Sequence, residues 1–538
     1  MQTKHDSKHD YRKITLISPP GKIYVYADGS PSARKHGSPP LGLAYLASNL
    51  LANGYEVEII DILIEGYHNE IYKEPSIIYG LSNETVVERI RRSNPDVIGI
   101  SVLFSMLIAE VYELCQALKK AFPNKPIILG GHHATGAPLD VMSHPYVDYV
   151  LLGEAELTLV QLMDALNGQR PLKQVTGLYY KDGEGAIKNT MESVKSAHSG
   201  NGWKHYKAED GGIATNLDSL PEPAWHLLPM ESYWKIMVRT GGGNAIGKRY
   251  MVMLSSRGCP HVCRFCSSPL TSGHRGYRTR NLDAVIAEIR RYVETYQVDE
   301  IQFVEDNFFV HKKRVKQLMS QLAEEFPQVF FHVTGGIEAN AIDDEIIDLM
   351  DKANFRRALL SVESGDPELQ EAMVDKKVKL HRLPQIIEKM VARNIDVRLL
   401  FMIGFPGETR SQIQKTIDLS KALGVHDVIF SLVTAFPGTE LYDECLEKGL
   451  FLDSFSLNDL RLAKSSIRLP DTSPEELESL RRTVWREAFE KRIAEGDLTG
   501  KAQGKTFESL DDYERGDLLI KPPRRDGRPD HAAGCYNN

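Results

Sequence analysis

"YMVMLSSRGCPHVCRFC" (Tyr250–Cys266) places two signals end to end. Tyr250–Leu254 is a short apolar run, the pattern of a buried strand. It empties into a loop whose cysteines, Cys259, Cys263 and Cys266, are spaced C-x-x-x-C-x-x-C. The chain has six cysteines, and the others lie far away in sequence. Thiolates are soft ligands for zinc, copper and iron–sulfur clusters. A structural zinc closes with four protein ligands, and iron–sulfur clusters usually take four cysteines. Three thiols leave one iron of a [4Fe–4S] cluster open to another ligand, so the missing fourth cysteine is the informative feature. A zinc knuckle or three incidental core thiols is the alternative.

The same strand-then-loop unit recurs downstream. "EIQFVEDNFF", "FFHVTGGI", "RALLSVESG", "DVRLLFMIGFPGE" and "DVIFSLVTAFPGT" read as strands, and amphipathic helices such as Asn281–Tyr296 and Asp343–Phe355 fall between them. Six strand–helix units in a row predict a partial (β/α)6 barrel of TIM type. Upstream, "KITLISPP", "EVEIID", "PDVIGISVLFS", "KPIILGGHHAT" and "VDYVLLGEAE" are β-branched runs separated by helical segments. That alternation predicts a parallel sheet covered on both faces, a doubly wound Rossmann-like α/β domain. Such sheets bind ligands at the carboxyl ends of their strands, here Ser18–Gly21, Ser101–Ser105, Gly130–Thr135 and Gly153–Glu156. Between Lys181 and Lys248 the periodicity weakens into "KDGEG", "SGNGW" and "TGGGN", turn or linker composition. Past Gly449 a charged helix, Ser473–Gly496, precedes an exposed-looking tail. The expected organisation is 1–180, an N-terminal Rossmann-like domain; 181–248, a linker; 249–450, the barrel; and 451–538, a helical extension and tail.

Composition narrows the function classes. The net charge is −8 and apolar residues make up 42%, which argues against a whole-protein nucleic-acid or anionic-membrane binder. The N-terminus is polar, with no secretory h-region, and no apolar run has membrane-spanning length. The expectation is a cytoplasmic protein with no membrane span and no nucleic-acid partner. Clustered thiols in a reducing compartment bind metal or do chemistry.

At the cysteine loop the chain resembles the radical S-adenosylmethionine (SAM) superfamily, whose signature is C-x-x-x-C-x-x-C after the first barrel strand. The resemblance covers roughly Tyr250 to Leu450. It implies that Cys259, Cys263 and Cys266 hold a [4Fe–4S] cluster and that SAM chelates the open iron. It places Phe265 against the adenine. Glu305, Asp306 and Asn307 of "VEDN" would meet the amino-acid part of SAM, and Glu363 and Ser364 of "SVESG" the ribose and carboxylate. Gly404 of "MIGFPGET" would lie on the adenine side. From the residues alone, a structural ion-pair partner is the alternative reading of Glu363, since buried carboxylates are generally paired.

A doubly wound domain before such a barrel resembles the cobalamin-binding domain of one large radical SAM subclass. The resemblance implies that cobalamin meets Ser101, Phe104, Ser105, Gly130, Gly131, His132, Gly153, Glu154 and Glu156. The D-x-H-x-x-G motif that supplies a lower cobalt ligand in many cobalamin domains is absent from the sequence. A Rossmann-like fold without cofactor is the alternative. Gly130 and Gly131 permit close backbone approach or a plain tight turn. His132 and His133 read first as hydrogen-bonding loop histidines rather than cobalt ligands.

Together the two resemblances imply a cobalamin-dependent radical SAM C-methyltransferase. A 5′-deoxyadenosyl radical would activate an unactivated carbon of a small molecule, and methylcobalamin would supply the methyl group. An external one-electron reductant of flavodoxin or ferredoxin type is implied. A cobalamin-dependent oxidative cyclase or ring-rearranging enzyme, and a non-catalytic iron–sulfur electron carrier, are the competing readings. "EGYHNE", "YGLS" and "PEPAWHLLPMESYWKI" are similar to phosphonate C-methyltransferases, which suggests a phosphonate or other natural-product intermediate as substrate. His274, Arg275, Arg278 and Arg280 are candidate basic groups for it, or a solvated basic loop. Tyr277, Tyr442 and Cys445 read first as packing residues, with reach into the active site as the alternative.

Overall fold

The computed structural model describes residues 10–190, 212–236, 246–272, 276–425, 427–494 and 519. The N-terminal sheet has seven strands in the spatial order Ile187–Asn189, Leu178–Lys181, Tyr149–Leu151, Ile127–Gly130, Val97–Ser101, Lys13–Ser18 and Glu56–Asp61. The five strands from Tyr149–Leu151 to Glu56–Asp61 are parallel. They are the five apolar runs, buried on both faces because helices cover both. Leu41–Ala52 and Glu156–Leu166 pack together on one side, and Asn83–Ser93 packs with Ile108–Ala121 on the other. The chain leaves Lys13–Ser18 toward one edge and returns to Val97–Ser101 on the opposite side. Their carboxyl ends therefore form the topological switch point where such folds bind ligands.

Two features lie outside the sequence expectation. Leu178–Lys181 and Ile187–Asn189 add antiparallel strands that carry the sheet past residue 180. Gly21–Tyr24, Glu70–Lys73 and Ser76–Tyr79 make a separate antiparallel sheet. These strands have three or four residues, too short for a periodic signal, and Gly21–Tyr24 finds its partner more than fifty residues away.

The second domain has six parallel barrel strands: Tyr250–Met253, Glu300–Phe303, Phe330–Val333, Arg357–Glu363, Asp396–Ile403 and Val428–Leu432. Their ladders form two sheets, connected by an isolated bridge between Phe331 and Phe355. Among the described residues no ladder joins the last strand to the first, so the barrel is partial, as its six units predict. Helix Pro474–Ala494 packs on the last strand. It buries Leu477 and Val484 there, and Arg481 donates to the Phe430 carbonyl.

The aromatic linker residues staple the domains together. Trp225 Nε1 donates to Tyr292 Oη at 2.9 Å, the Tyr233 hydroxyl donates to Asp61, and Trp234 Nε1 donates to the Tyr250 carbonyl at 2.8 Å. One apolar core runs from Ile14 through Trp225 and Tyr233 to Phe303. The stretch similar to phosphonate methyltransferases is thus largely buried packing. Its "SGNGW" and "TGGGN" neighbours, and the C-terminal tail from 520, lie outside the described residues. Among the described residues no helix is long and apolar enough to cross a membrane.

Candidate active site

The cysteine loop is held from four sides. Gly258 has φ +84°, and a Cβ there would lie 1.9 Å from the Gly276 carbonyl oxygen, so only glycine fits. Its N–H donates to Asp306 at 3.0 Å. Val262 N–H donates to Asp375 at 3.1 Å, Arg264 N–H to the Met373 carbonyl at 3.3 Å, and Leu441 N–H to the Arg264 carbonyl at 3.0 Å. His261 bonds Glu338 at 3.0 Å and lies 3.6 Å from Asp375.

Backbone N–H groups lower the pKa of each cysteine thiol: His261 acts on Cys259, Asp375 and Lys376 on Cys263, and Ser268 on Cys266. Asn307 Nδ2 adds a 3.7 Å contact to the Cys259 sulfur. Burial pushes all three thiols up, Cys266 to about 12, which keeps the bare thiols protonated. Those N–H groups and the Lys376 ammonium pull the other way and favour the thiolates that a cluster requires. The donor set therefore fits an iron–sulfur cluster. Among the described residues no three His, Cys, Asp or Glu side chains converge on a single metal ion.

Lys376 is a site residue that the sequence did not reveal. Its ammonium pairs with Glu363 at 2.9 Å. Burial alone would lower its pKa, but Glu363 and the neighbouring thiols outweigh burial and raise it, so it is a permanent cation. Glu363 ends its strand at φ +66°, beside a register shift. A left-handed glutamate of this kind persists only where its surroundings hold it. Asp375, Glu338 and Glu408 were also missed. Glu408 accepts N–H bonds from Gly404 and Phe405, and burial drives its carboxyl up to about 7 against those bonds.

The expected SAM residues divide into two groups. Phe265 packs edge-on against Phe405, with 5.8 Å between ring centroids, so the aromatic of the cysteine loop meets the "GFPG" turn. Asp306, Asn307, Glu363 and Gly404 surround the same region, and the Asn307 Oδ1 is buried with no hydrogen-bond partner. Glu305 and Ser364 have internal duties. Glu305 accepts from Ser255 N–H and the Ser256 hydroxyl, while the Ser364 hydroxyl accepts from Asp366 N–H and contacts Thr416.

The expected cobalamin residues share the carboxyl edge of the N-terminal sheet. Leu103 and Phe104 are exposed there, at 47% and 52%, an apolar rim suited to a flat macrocycle. Gly131 has φ +100°, and a Cβ would collide with the Val102 backbone. Gly153 has φ +65° and donates its N–H to Thr135. Ser101 and Gly130 end their strands side by side. The Ser105 hydroxyl bonds His133 Nδ1 at 2.9 Å, and His133 Nε2 is buried without a partner. His132 is half-buried near Asp306, and burial lowers its pKa. Glycine cradle, apolar rim and orphaned imidazole nitrogen fit a large cofactor at this edge.

Glu154 and Glu156 join this edge to the cysteine loop. Arg257, two residues before Cys259, pairs with Glu154 at 2.9 Å and Glu156 at 2.7 Å. Arg278 also pairs with Glu154, and all four side chains are largely buried. Gly136 and the "FPGT" turn provide a second contact between the domains: a Cβ on Gly136 would lie 2.2 Å from the Pro437 carbonyl oxygen. Of the proposed substrate-binding bases, Arg278 is held by Glu154 and Arg280 by Glu288. His274 and Arg275 lie outside the described residues. Tyr442 packs at a tilt against Phe451, with 5.3 Å between ring centroids, and Cys445 is buried in a small core with Cys263.

Comparisons with known proteins agree with this layout. Residues 33–163 match the B12 binding domain and residues 253–420 the radical SAM superfamily. The chain is 28% identical over 475 residues to the cytidylyl-2-hydroxyethylphosphonate methyltransferase of Streptomyces wedmorensis, covering 86% of each chain. It is 29% identical over 443 residues to an uncharacterized methyltransferase of Pyrococcus horikoshii, covering 82% of this chain and 84% of that one. The structure of TsrM from Kitasatospora setae, with cobalamin and a [4Fe–4S] cluster bound, superposes with a TM-score of 0.62 at 17% identity, over 81% of this chain and 75% of that one.

Proposed function

We propose that this chain, which belongs to the cobalamin-dependent radical SAM methyltransferases, methylates an unactivated carbon of a small molecule in the gap between its two domains. The observation that carries this reading is the ion cluster of Arg257 with Glu154 and Glu156, which fixes the cobalamin-side loop directly against the cysteine loop. When bound, the cluster and SAM supply hydrogen abstraction from carbon, and cobalamin supplies the methyl group.

The protein's part is placement and exclusion of water. Cys259, Cys263 and Cys266 hold the cluster, and Asp375 and Lys376 brace it. Phe265 and Phe405 wall the adenine side, with Glu408 fixing the Gly404–Phe405 turn. Asn307, Asp306 and the Glu363–Lys376 pair present opposite charges to a zwitterionic amino-acid group. Leu103 and Phe104 offer the corrin an apolar seat. The electron that starts each turnover comes from an external protein reductant. A phosphonate is the first substrate class to test, by similarity to the Streptomyces relative. Arg278 and Arg280 are engaged in ion pairs, so they do not supply its anion site in this arrangement.

The test is anaerobic reconstitution with iron, sulfide and hydroxocobalamin, followed by SAM and a strong reductant. 5′-Deoxyadenosine and S-adenosylhomocysteine are quantified beside Cys263→Ala, and the optical spectrum reports retained corrin. Both products and bound corrin, with deoxyadenosine lost in the variant, are expected. Deoxyadenosine without corrin or S-adenosylhomocysteine would overturn methyl transfer.

A further inference from the structure

The loop that braces the cysteines opens onto the protein surface as a basic patch. Asn340 organises it. Its amide nitrogen donates to the carbonyls of Lys376 and Lys377, its amide oxygen accepts from Lys379 N–H, and its backbone carbonyl accepts from Lys312 and Arg382. Lys312, Lys377, Lys379 and His381 are exposed, as is Lys313 beside Lys312. Glu371 pairs with Lys377 at 2.8 Å, while Lys312, Lys313, Lys379 and Arg382 have no carboxylate within ion-pair distance among the described residues. The nearby acids Asp343 and Glu345 pair with Lys316, and Asp375 faces His261. A concentrated cationic surface is notable on a chain of net charge −8.

Its position gives it meaning. Asp375, whose carboxylate accepts from Val262 N–H beside Cys263, is followed directly by Lys376 and Lys377, whose carbonyls Asn340 holds on the outer side. One short stretch of chain thus separates the patch from a cluster ligand, and electron tunnelling falls steeply with distance. We propose that the surface formed by Lys312, Lys313, Lys377, Lys379 and Arg382 is the docking site for an acidic one-electron carrier protein. This rests on the radical SAM reading of the cysteine loop and locates its reductant. In the transfer the carrier loses one electron and the oxidised cluster gains it, with no proton or atom exchanged. Carrier complexes of this type are small and transient. Opposite charge in them chiefly raises the association rate, and salt suppresses it.

The test uses the full chain with its cluster reconstituted. Cluster reduction is followed by stopped-flow absorbance, with flavodoxin hydroquinone as the protein donor and titanium(III) citrate as the small one. In the native chain, flavodoxin reduction should slow steeply between low and high salt. Lys312→Glu with Lys379→Glu should lower the flavodoxin rate at low salt by about tenfold or more and flatten the salt dependence. Titanium reduction and deoxyadenosine yield should stay unchanged. Lys120→Glu, on a helix of the other domain, should behave as native. A flavodoxin rate within twofold of native in the double variant would overturn the proposal. So would an equal loss with both donors, which would place the effect at the cluster. If flavodoxin fails to reduce even the native chain, an acidic carrier is overturned, while deoxyadenosine formed with titanium keeps the radical SAM reading separate.

Discussion

At the scale of single residues, two buried charges set the chemistry around the cysteine loop. Glu363 is a left-handed glutamate whose carboxylate has Lys376 as its ion-pair partner. Removing one member of a buried pair strands the other. Lys376→Met should therefore displace Glu363 and weaken SAM binding about tenfold, roughly 1.4 kcal/mol, while Lys376→Arg retains most of it. Equilibrium dialysis of SAM on the reconstituted protein measures this. Unchanged affinity would mean that the strand end alone holds Glu363. Glu408 is the second case. Burial raises its carboxyl to about 7 in the fold, above the ordinary glutamate range, so the folded state binds the extra proton. Stability from this group is complete below the unfolded pKa, falls as pH rises toward 7, and stays lowered above it. The loss is on the order of 3 kcal/mol. Glu408→Gln keeps the acceptor for Gly404 and Phe405 without the charge. Its thermal midpoint should match wild type near pH 4.5 and exceed it at pH 8; parallel curves would sink the assignment.

At the scale of elements, the strands with continuous apolar runs were legible in the sequence, because burial on both faces leaves no polar alternation to blur them. The cysteine loop was legible for a different reason: its spacing is local. What escaped detection depends on distant partners. Lys376 in "VDKKVK" resembles any charged turn until the fold brings it to Glu363 and Cys263. Glu154 and Glu156 carried no local sign of their partners, which are Arg257 and Arg278 of the barrel domain. Arg278 and Arg280 invited an anion-binding reading because their carboxylates, Glu154 and Glu288, come from other elements. Gly136 was silent too, as its meaning lies in the Pro437 carbonyl it faces. That contact is testable. Gly136→Ala adds a methyl where a backbone oxygen stands, so the turn and the short helix His132–Gly136 must part, costing about 1–3 kcal/mol. Corrin and cluster should still load, but methylated product per deoxyadenosine should fall several-fold. Gly183→Ala, in open space, is the control. An unchanged product ratio in Gly136→Ala would show that this contact does not set cofactor spacing.

At the scale of the whole molecule, two domains with separate sheets are tied by three kinds of bond. The linker aromatics fuse the apolar cores through Trp225, Tyr233 and Trp234. The C-terminal helix reaches back across the barrel edge: Arg481 bonds Tyr26, and Arg482 bonds Asp28 and Ser30 of the N-terminal domain. Burial raises the Asp28 carboxyl, but the Ser30 bonds and Arg482 outweigh it and hold it at about 2, so this clasp survives mild acid. The third tie, Arg257 with Glu154 and Glu156, alone lies between the two proposed cofactor loops. Arg257→Ala would leave buried carboxylates facing each other, with only Arg278 as counter-charge. Breaking one side of such a pair costs about 3–5 kcal/mol. Because that cost falls on the interface and not within either core, it should appear as lost cooperativity between domains. Calorimetry of the wild-type protein should give one transition, and Arg257→Ala two, the N-terminal domain melting apart from the barrel. Arg257→Lys, which keeps the charge but loses the planar guanidinium whose Nη1 meets both carboxylates, should fall between. A single transition lowered as a whole in Arg257→Ala would mean that the linker aromatics and the C-terminal clasp suffice to couple the domains. The ion cluster would then serve only to aim the two loops at each other.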